Sequence, residues 1–350
     1  MFACLCLLSH SVVAQVITEF DTGITPGAQP MNIVAGPDGN LWFTEFNGGN
    51  QIGRITPQGV ITEFGVGITP GAQPYGIAAG ADGNLWFTER STNFDIGMIG
   101  RITPAGVITE FAFGISMFAD PFLIAAGPDG NLWFTEDLGN RVAQITTVGD
   151  VTEFSAGICT SATCPPFGAT PAGIVAGPDG NLWFTEASSN RIGRITPAGV
   201  VTEFSANISA GATPFGIAAG PDGNLWFTEN TGNRIGRITP AGVVTEFEAG
   251  ISPDARLFGI AAGPDGNLWF TEQLGNQIGR ITPDGVVTEF FACLSFNANP
   301  SGITAGPDGA MWFAEAGGGI GRITVNDDVI FIDGFDGLCS EQSIGQAFSR

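Results

Sequence analysis

A ten-residue motif returns seven times along the 350-residue chain, and it restricts the fold more than any other feature. Each copy reads G-P-D-G-N-L-W-F-T-E with small changes, and the copies contain all seven Trp residues: Trp42, Trp86, Trp133, Trp183, Trp226, Trp269 and Trp312. Successive Trp residues are 44, 47, 50, 43, 43 and 43 residues apart. A period of about 40 to 50 residues is typical of a four-stranded propeller blade, so seven copies predict seven blades.

Each repeat contains four short apolar segments separated by turn residues. In the fifth copy these are strand A at Gly216 to Ala219, strand B at Leu225 to Glu229, strand C at Arg234 to Thr239 and strand D at Val243 to Phe247. The segments GPDGN and TPAGV supply Pro and Gly, which suit tight turns. Helical repeats need a 3.6-residue apolar period, which this pattern does not sustain. The sequence predicts an all-β, seven-bladed propeller of four-stranded antiparallel blades.

The T-E-F segments indicate how the ring closes. Six of them provide strand D of blades one to six, and they end at Phe64, Phe111, Phe154, Phe204, Phe247 and Phe290. A seventh, Val16 to Phe20, precedes the first Trp and has no blade of its own. We expect it to pair as the outermost strand of blade seven, so that no sheet edge stays open. Val329 to Ile332 is the competing candidate for that place.

The first 14 residues, MFACLCLLSHSVVA, resemble the apolar core of a signal peptide and end in small residues before a cleavage site, although the positive amino-terminal region is missing. They are too short to span a bilayer, which needs about 20 apolar residues. A buried first strand is the alternative. We expect a signal peptide over 1–14, the propeller over 15–333 and a tail over 334–350. The protein is then secreted or periplasmic, without membrane insertion, and we expect a monomer.

The cysteines agree with export. Cys4 and Cys6 fall in the signal peptide, and the remaining four are Cys159, Cys164, Cys293 and Cys339. Four cysteines in an oxidising compartment allow three disulfide connectivities. We favour Cys159 with Cys164 and Cys293 with Cys339. A zinc site is disfavoured, because the spacing is wrong and no His is left to help.

The charge balance excludes one class of partner. All 12 basic residues are Arg, and 34 Asp and Glu give a formal net charge of −22. Binding to phosphate backbones depends on clustered Lys and Arg. Nucleic acid is therefore not an expected partner.

The loop lengths indicate which face of the propeller binds a ligand. In an up-and-down blade the D–A and B–C connections share one face. The insertions lie there, at Phe46 to Asn50, at Arg90 to Met98 and in the loop that holds Cys159 and Cys164. Binding functions concentrate in loops on a rigid scaffold. We therefore place the site on the D–A and B–C face, around the channel mouth.

The variable residue of each P-x-G-I segment, just before strand A, is expected to enter this mouth. These residues are Met31, Tyr75, Phe122, Ala172, Phe215, Phe258 and Ser301. Four are aromatic and none is charged. A plug at the top of the channel is the interpretation that we favour for them. The alternative is an apolar pocket for a small molecule, peptide or glycan that carries a ring or an apolar group.

Each strand B ends in a Glu that approaches the same face. These residues are Glu45, Glu89, Glu136, Glu186, Glu229, Glu272 and Glu315. A ring of carboxylates could hold Mg²⁺ or Ca²⁺. Strand C carries an Arg a few residues on, replaced by Gln144 in blade three, at Arg54, Arg101, Arg194, Arg237, Arg280 and Arg322. We favour repeated Glu–Arg ion pairs over a metal site, since a site usually breaks symmetry. The T-E-F glutamates are expected to face solvent.

The unit N-R-I-G-R-I-T-P-A-G-V-V-T-E-F after G-P-D-G-N-L-W-F-T-E closely resembles the repeat of the virginiamycin B lyase (streptogramin B lyase) family, over about residues 16 to 325. The resemblance implies a seven-bladed propeller. It also implies Mg²⁺-dependent opening of a cyclic depsipeptide by elimination at its ester, with a His as general base. The catalytic histidines of the family occupy the variable position of P-x-G-I in the last two blades.

This chain departs from the family at those positions, which hold Phe258 and Ser301. Neither side chain takes a proton near neutral pH as an imidazole would, and the one His of the chain is His10. The family has an aromatic residue at this position of the first blade, where this chain has Met31. We expect a lyase-like binding propeller without a cofactor. The alternative is a Mg²⁺-dependent lyase or another carboxylate-dependent enzyme, with Glu272 or Glu315 as a base whose pKa is raised by burial.

Overall fold

The structure is a computed structural model that describes residues 16–90, 97–159, 165, 168–290 and 294–325. Within these ranges, 28 short strands form seven four-stranded antiparallel sheets, which are arranged as blades around a central channel. The described residues include no helix long and apolar enough to cross a membrane. The predicted all-β, seven-bladed propeller is confirmed.

The two inner strands of each blade carry the P-x-G-I segment and the Trp motif. Strand A is β2 (Pro30–Ala35), β6 (Pro74–Ala79), β10 (Pro121–Ala126), β14 (Pro171–Ala176), β18 (Pro214–Ala219), β22 (Leu257–Ala262) or β26 (Pro300–Ala305). Strand B is β3 (Leu41–Glu45), β7 (Leu85–Glu89), β11 (Leu132–Glu136), β15 (Leu182–Glu186), β19 (Leu225–Glu229), β23 (Leu268–Glu272) or β27 (Met311–Glu315). Every residue of each strand B is buried, because neighbouring blades cover both of its faces.

The two outer strands complete each blade. Strand C is β4 (Gln51–Ile55), β8 (Met98–Ile102), β12 (Arg141–Ile145), β16 (Arg191–Ile195), β20 (Arg234–Ile238), β24 (Gln277–Ile281) or β28 (Gly319–Ile323). Strand D is β5 (Ile61–Phe64), β9 (Ile108–Phe111), β13 (Val151–Phe154), β17 (Val201–Phe204), β21 (Val244–Phe247), β25 (Val287–Phe290) or, for blade seven, β1 (Ile17–Phe20).

The amino-terminal strand closes the ring, as the unassigned T-E-F copy predicted. β1 pairs with β28 in antiparallel register, with Ile17 opposite Ile323 and Phe20 opposite Ile320. The Phe20 ring stacks on Trp312 with ring centroids 5.5 Å apart, which repeats the Trp–Phe stack of the other blades. Val329 to Ile332, the signal peptide and the tail lie outside the described residues.

Three strand boundaries in the fifth repeat differ from those predicted. Strand A begins at Pro214 instead of Gly216, because Pro214 already pairs with Glu229 ahead of a bulge. Strand C ends at Ile238 because Thr239 belongs to the following turn, where its N–H donates to the carbonyl oxygen of Val243. Strand D accordingly begins at Val244.

A Trp, a Phe and a turn Asp hold each blade together. In blade five the Trp226 and Phe247 rings stack with centroids 5.4 Å apart, and the Trp226 Nε1–H donates to Asp222 Oδ1 over 3.1 Å. Trp226 is buried and also contacts the neighbouring blade through Leu257 and Ile260. The repeated motif therefore encodes both the A–B turn and the packing between blades.

Candidate functional site

The variable residues of the P-x-G-I segments form one layer of side chains at the channel mouth. They are the second residues of the innermost strands, and not the residues before strand A as expected, because the preceding residue already pairs with strand B. The layer consists of the buried Tyr75, Phe122 and Ala172 and the half-buried Met31, Phe215 and Phe258. We call these six residues the mouth layer.

The aromatic rings of the mouth layer contact one another in series. Tyr75 stacks on Phe122 with centroids 4.4 Å apart, and Phe122 meets the edge of Phe215 at 5.7 Å. Phe215 and Phe258 are tilted together at 4.4 Å. Aromatic pairs at these separations contribute about 0.5 to 1.5 kcal/mol beyond burial. The rings meet instead of standing apart, so a ligand would contact the outer surface of the layer.

A channel of about 570 Å³ follows the propeller axis along the innermost strands, with the mouth-layer residues absent from its walls. Ile, Val, Ala and Gly make up most of the walls. Asn32 and Thr304 are the polar side chains among the described residues that line it. The channel is thus an apolar passage, and the polar chemistry of the mouth comes from the loops.

A charged cluster that sequence reasoning missed lies beside the mouth layer in blades two and three. The Arg90 guanidinium carbon lies 5.2 Å from the Tyr75 ring centre and 4.7 Å from that of Phe122. Arg90 also forms an ion pair with Asp120, donating from Nε to Oδ1 over 2.9 Å, and approaches Asp137 at 3.5 Å. Burial raises the pKa of Asp137 to about 6; Asp120 adds to the rise and Arg90 opposes it.

A sequence signal for this cluster does exist. The residue after the strand-B Glu is Phe46, Arg90 or Asp137 in blades one to three. In blades four to seven it is small or uncharged, at Ala187, Asn230, Gln273 and Ala316. Phe46 meets Tyr75 edge-on, with centroids 5.4 Å apart. The mouth is therefore asymmetric, with its charge and most of its buried rings on the side of blades one to three.

Ser301, the seventh predicted mouth residue, does not join this layer. Its side chain is fully buried, and its hydroxyl lies within hydrogen-bond distance of two carbonyl oxygens, Pro30 at 3.2 Å and Ala314 at 3.1 Å. The contact with Pro30 ties blade seven to blade one. A ligand-binding role for Ser301 stays a prediction, and its hydroxyl is already hydrogen-bonded to the backbone.

The strand-B glutamates do not form the expected ion pairs with the repeated strand-C arginines. Trp226 lies opposite Arg237 in the register, while Glu229 lies opposite Arg234 at the other end of the strand. Arg237 covers the Trp226 and Phe247 rings, and its Nη1 donates to the carbonyl oxygen of Pro283 in the next blade. The repeated arginines thus serve blade packing, and the prediction of Glu–Arg pairs was wrong for them.

Each strand-B glutamate instead lies beside the T-E-F glutamate of the same blade. In blade five, burial, the hydrogen bond with Glu246 and the charge of Glu246 raise the pKa of Glu229 to about 8, while Arg234 opposes the rise. In blade one, burial and the corresponding contacts with Glu63 raise the pKa of Glu45 to about 8. Glu45 and Glu229 therefore keep their protons near neutral pH.

The T-E-F glutamates also differ from expectation, because they are half-buried and hold a loop. Glu63 accepts hydrogen bonds from the backbone N–H and the hydroxyl of Thr25, the latter over 2.8 Å. Glu246 does the same for Ser209, and Glu19 of the closing strand does so for Ser295. Each of these carboxylates thus fixes the D–A loop that leads into its own blade.

This arrangement does not fit a metal ion. The carboxyl groups are separated into one pair per blade, and no three Asp, Glu, His or Cys among the described residues come together as a metal site would need. Glu272 is fully buried and Glu315 is 4% exposed. Neither carboxyl reaches the outer surface of the mouth layer, so the geometry supports no step through Mg²⁺ and offers no exposed carboxylate base at these positions.

Cys159 forms a disulfide bond. Cys164, Cys293 and Cys339 lie outside the described residues, so both proposed pairings stay predictions. Cys159 lies in the D–A loop that leads into blade four, where its N–H donates to Glu203, the T-E-F glutamate of that blade. The loop with the longest insertion is thus held in the same way as the others.

The fold and its mouth define a seven-bladed β-propeller with a layer of aromatic side chains at one end of the channel. The chain belongs to the virginiamycin B lyase family, which it matches over residues 9–206 and 155–333. A streptogramin B lyase structure is 38% identical, covering 91% of this chain and 100% of that chain with a TM-score of 0.80.

Two further solved structures show what the scaffold carries elsewhere. A catalytically inactive variant of virginiamycin B lyase from Staphylococcus aureus, in which a histidine is replaced by alanine, was solved with quinupristin; it is 37% identical, covering 89% of this chain and 100% of that chain, with a TM-score of 0.79. The extracellular domain of a hybrid two-component system from B. thetaiotaomicron shares the fold alone, with 16% identity over 90% of this chain and 44% of that chain and a TM-score of 0.68. No curated protein matches the chain.

Proposed function

We propose that this protein is a secreted binding propeller that holds a ring-bearing ligand at its channel mouth and does not perform the lyase reaction. One observation carries the proposal: the two positions at which the family has catalytic histidines hold Phe258, which packs in the mouth layer, and Ser301, which is fully buried. Neither can act as a general base near neutral pH. In the Staphylococcus aureus relative, the variant with one histidine replaced by alanine is the inactive form.

The ligand class follows from the outer surface of the mouth layer. Met31, Phe215 and Phe258 are half-buried and leave apolar and aromatic surface exposed at the mouth. Arg90, which lies over the Tyr75 and Phe122 rings of the same layer, and Asp137 offer a donor and an acceptor. An apolar platform with a few polar groups at its edge suits a small molecule, peptide or glycan that carries a ring.

A lyase that uses Glu272 or Glu315 as the base is the second candidate. The raised pKa of Glu272, about 8, comes from burial together with the charge and hydrogen bond of Glu289. A raised pKa is what a general base requires. The same rise occurs in Glu45 and Glu229, however, which marks a repeated structural feature.

Quinupristin with Mg²⁺ separates the two functions. We expect titration calorimetry to show saturable binding of quinupristin and chromatography to show no linear product. Phe258→Ala should weaken binding, whereas Val243→Ala, on the exposed C–D turn of the opposite face, should leave it unchanged. Linear product that disappears in Glu272→Gln or Glu315→Gln would overturn the proposal in favour of the lyase. Absence of both binding and product would remove quinupristin-like ligands from the proposal.

A further inference from the structure

The axial channel narrows towards the mouth layer and opens on the opposite face of the propeller. Its walls lie among the third to sixth residues of the innermost strands, which directly follow the mouth-layer position. At the mouth end the wall residues Gly173, Gly216 and Gly302 are buried. At the other end each strand finishes with an Ala that is half-buried or, as at Ala126, exposed. A ligand of the channel therefore has its entrance on the face of the A–B turns.

The size and the walls of the channel suit an elongated apolar molecule. The volume of about 570 Å³ falls within the range of about 300 to 1,000 Å³ that is usual for small-ligand sites. Four strand positions at about 3.3 Å each make the channel roughly 10 Å deep. None of the described residues that line it is ionisable. A charged ligand would lose its hydration there without gaining a partner, so a neutral ligand is favoured.

A polar residue replaces the repeated apolar or glycine residue at two positions of the channel wall. The third residue of strand A is Gly in five blades and Leu123 in blade three, but it is Asn32 in blade one. The fifth residue is Val or Ala in six blades, but it is Thr304 in blade seven. The other blades pack without these polar groups, so blade packing does not require them.

The two polar residues lie on the same side of the channel, because blades seven and one are neighbours in the ring. The Asn32 side chain lies against Gly302 of blade seven, where a Cβ atom would come within 3.2 Å of its amide carbon. Thr304 follows Gly302 by two positions in β26, roughly 7 Å along the strand and on the same face of the sheet. We call Asn32 and Thr304 the polar pair.

The side chains of the polar pair are free to bind a ligand. Asn32 donates its backbone N–H to Thr44 Oγ1 over 3.2 Å, but its side-chain amide makes no hydrogen bond with any described residue. The Thr304 hydroxyl also has no hydrogen-bond partner within the described part of the chain. An amide and a hydroxyl each offer a donor and an acceptor. A neutral group that both donates and accepts, such as a primary amide, complements this pair.

We propose that the axial channel binds an elongated aliphatic molecule with a neutral hydrogen-bonding end, which meets Asn32 and Thr304 while the chain extends towards the A–B turns. The apolar walls supply most of the contact, and the polar pair fixes the orientation, as is usual for small-molecule pockets. The site shares no residue with the mouth layer. It is therefore a second binding site, and it does not depend on what the mouth binds.

Calorimetric titration with octanamide at pH 8 tests the site. We expect saturable one-to-one binding, and no detectable binding of octanoate, which has the same chain but a charged end. Asn32→Leu copies Leu123 of blade three, and Thr304→Val copies Val175 of blade four, so both variants keep a residue that the repeat tolerates. Together they should weaken octanamide binding at least tenfold.

A second pair of variants locates the bound molecule in the channel. Ala126 is exposed at the entrance and lines the wall, so Ala126→Phe should obstruct the channel and weaken binding at least tenfold. Val243→Ala, on an exposed C–D turn of the same face, should bind octanamide as the native protein does. The proposal is overturned by absence of saturable binding, by native affinity in the Asn32→Leu/Thr304→Val or Ala126→Phe variant, by equal affinity for octanoate, or by displacement with equimolar quinupristin.

Discussion

The blade interiors and the channel mouth follow different rules. Each interior repeats the same contacts, in which a Trp bonds the turn Asp and stacks on a Phe, as Trp42 does with Asp38 and Phe64. The mouth layer has a different residue in most blades, from Met31 to Tyr75 to Ala172. Residues between blades meet the same neighbours seven times, whereas residues at the axis meet one another across the channel. The repeated residues therefore serve stability, whereas the positions that vary between blades are those where function can differ.

The largest loss of stability should result from Trp226→Ala. Trp226 is fully buried, and its removal leaves a cavity and takes the indole donor from Asp222. We expect a loss of about 3 to 5 kcal/mol in the free energy of unfolding, measured by urea denaturation at pH 7. Val243→Ala, on an exposed turn, should change it by less than about 0.5 kcal/mol. A loss below about 1 kcal/mol for Trp226→Ala would contradict the importance given to the repeated interior.

The glutamate pairs should make the interior sensitive to pH. Burial first, and then contact with Glu246, raises the pKa of Glu229 from the ordinary 4.5 to about 8. Between these values the folded protein keeps a proton that the unfolded chain releases. Stability from this group is therefore full below pH 4.5 and falls as pH rises through about 8, by up to about 1.4 kcal/mol per pH unit.

Glu229→Gln tests this, because Gln keeps an N–H donor for Glu246 and has no proton to lose. We expect the variant and the native protein to be similarly stable at pH 5 and the variant to be more stable at pH 9 by at least about 1 kcal/mol. Thermal unfolding across this range measures the difference. Glu248→Gln, at a side chain that is 73% exposed, should follow the native curve. Parallel curves for Glu229→Gln and the native protein would rule out a raised pKa for Glu229 in the folded state.

At the mouth, a substitution should change ligand affinity more than it changes the free energy of unfolding. Phe258 is half-buried, so Phe258→Ala should cost less unfolding free energy than Trp226→Ala. We expect its quinupristin dissociation constant to rise about tenfold, since one ring contact of about 1.4 kcal/mol is lost. Calorimetry and denaturation on the same sample measure both quantities. A large stability loss with unchanged binding would make the mouth layer a plug and nothing more.

The smallest effect should come from Arg237→Gln. Blade three already carries Gln144 at this position, and its Nε2 donates to the turn carboxylate Asp129 over 2.6 Å. A Gln at 237 can bond Asp222 in the same way, but it loses the contacts with the Trp226 and Phe247 rings and the hydrogen bond to the carbonyl oxygen of Pro283. We expect the free energy of unfolding, measured by urea denaturation, to fall by less than about 1 kcal/mol. A loss of unfolding free energy close to that of Trp226→Ala would show that blade three makes up for its missing Arg through other contacts.

Much of the fold could be predicted because the repeat is a local signal. The Trp spacing gave the blade count, and the extra T-E-F copy located the closing strand, since a strand is recognised from its own residues. The pairing of Glu229 with Arg237 was wrong because proximity in the chain is not proximity along a strand. At about 3.3 Å per residue, the three positions between Arg234 and Arg237 place Arg237 roughly 10 Å from the carboxyl group.

The sequence by itself determined two things about this protein: seven antiparallel blades closed by the amino-terminal strand, and a site without the family's histidines, since Phe258 and Ser301 are read directly from the chain. Only the tertiary structure decided that the mouth rings meet and that Arg90 stacks on Tyr75 and Phe122. The physical reason is distance along the chain. Strand pattern and turn chemistry act between neighbours in sequence, whereas packing across the axis joins side chains from different blades.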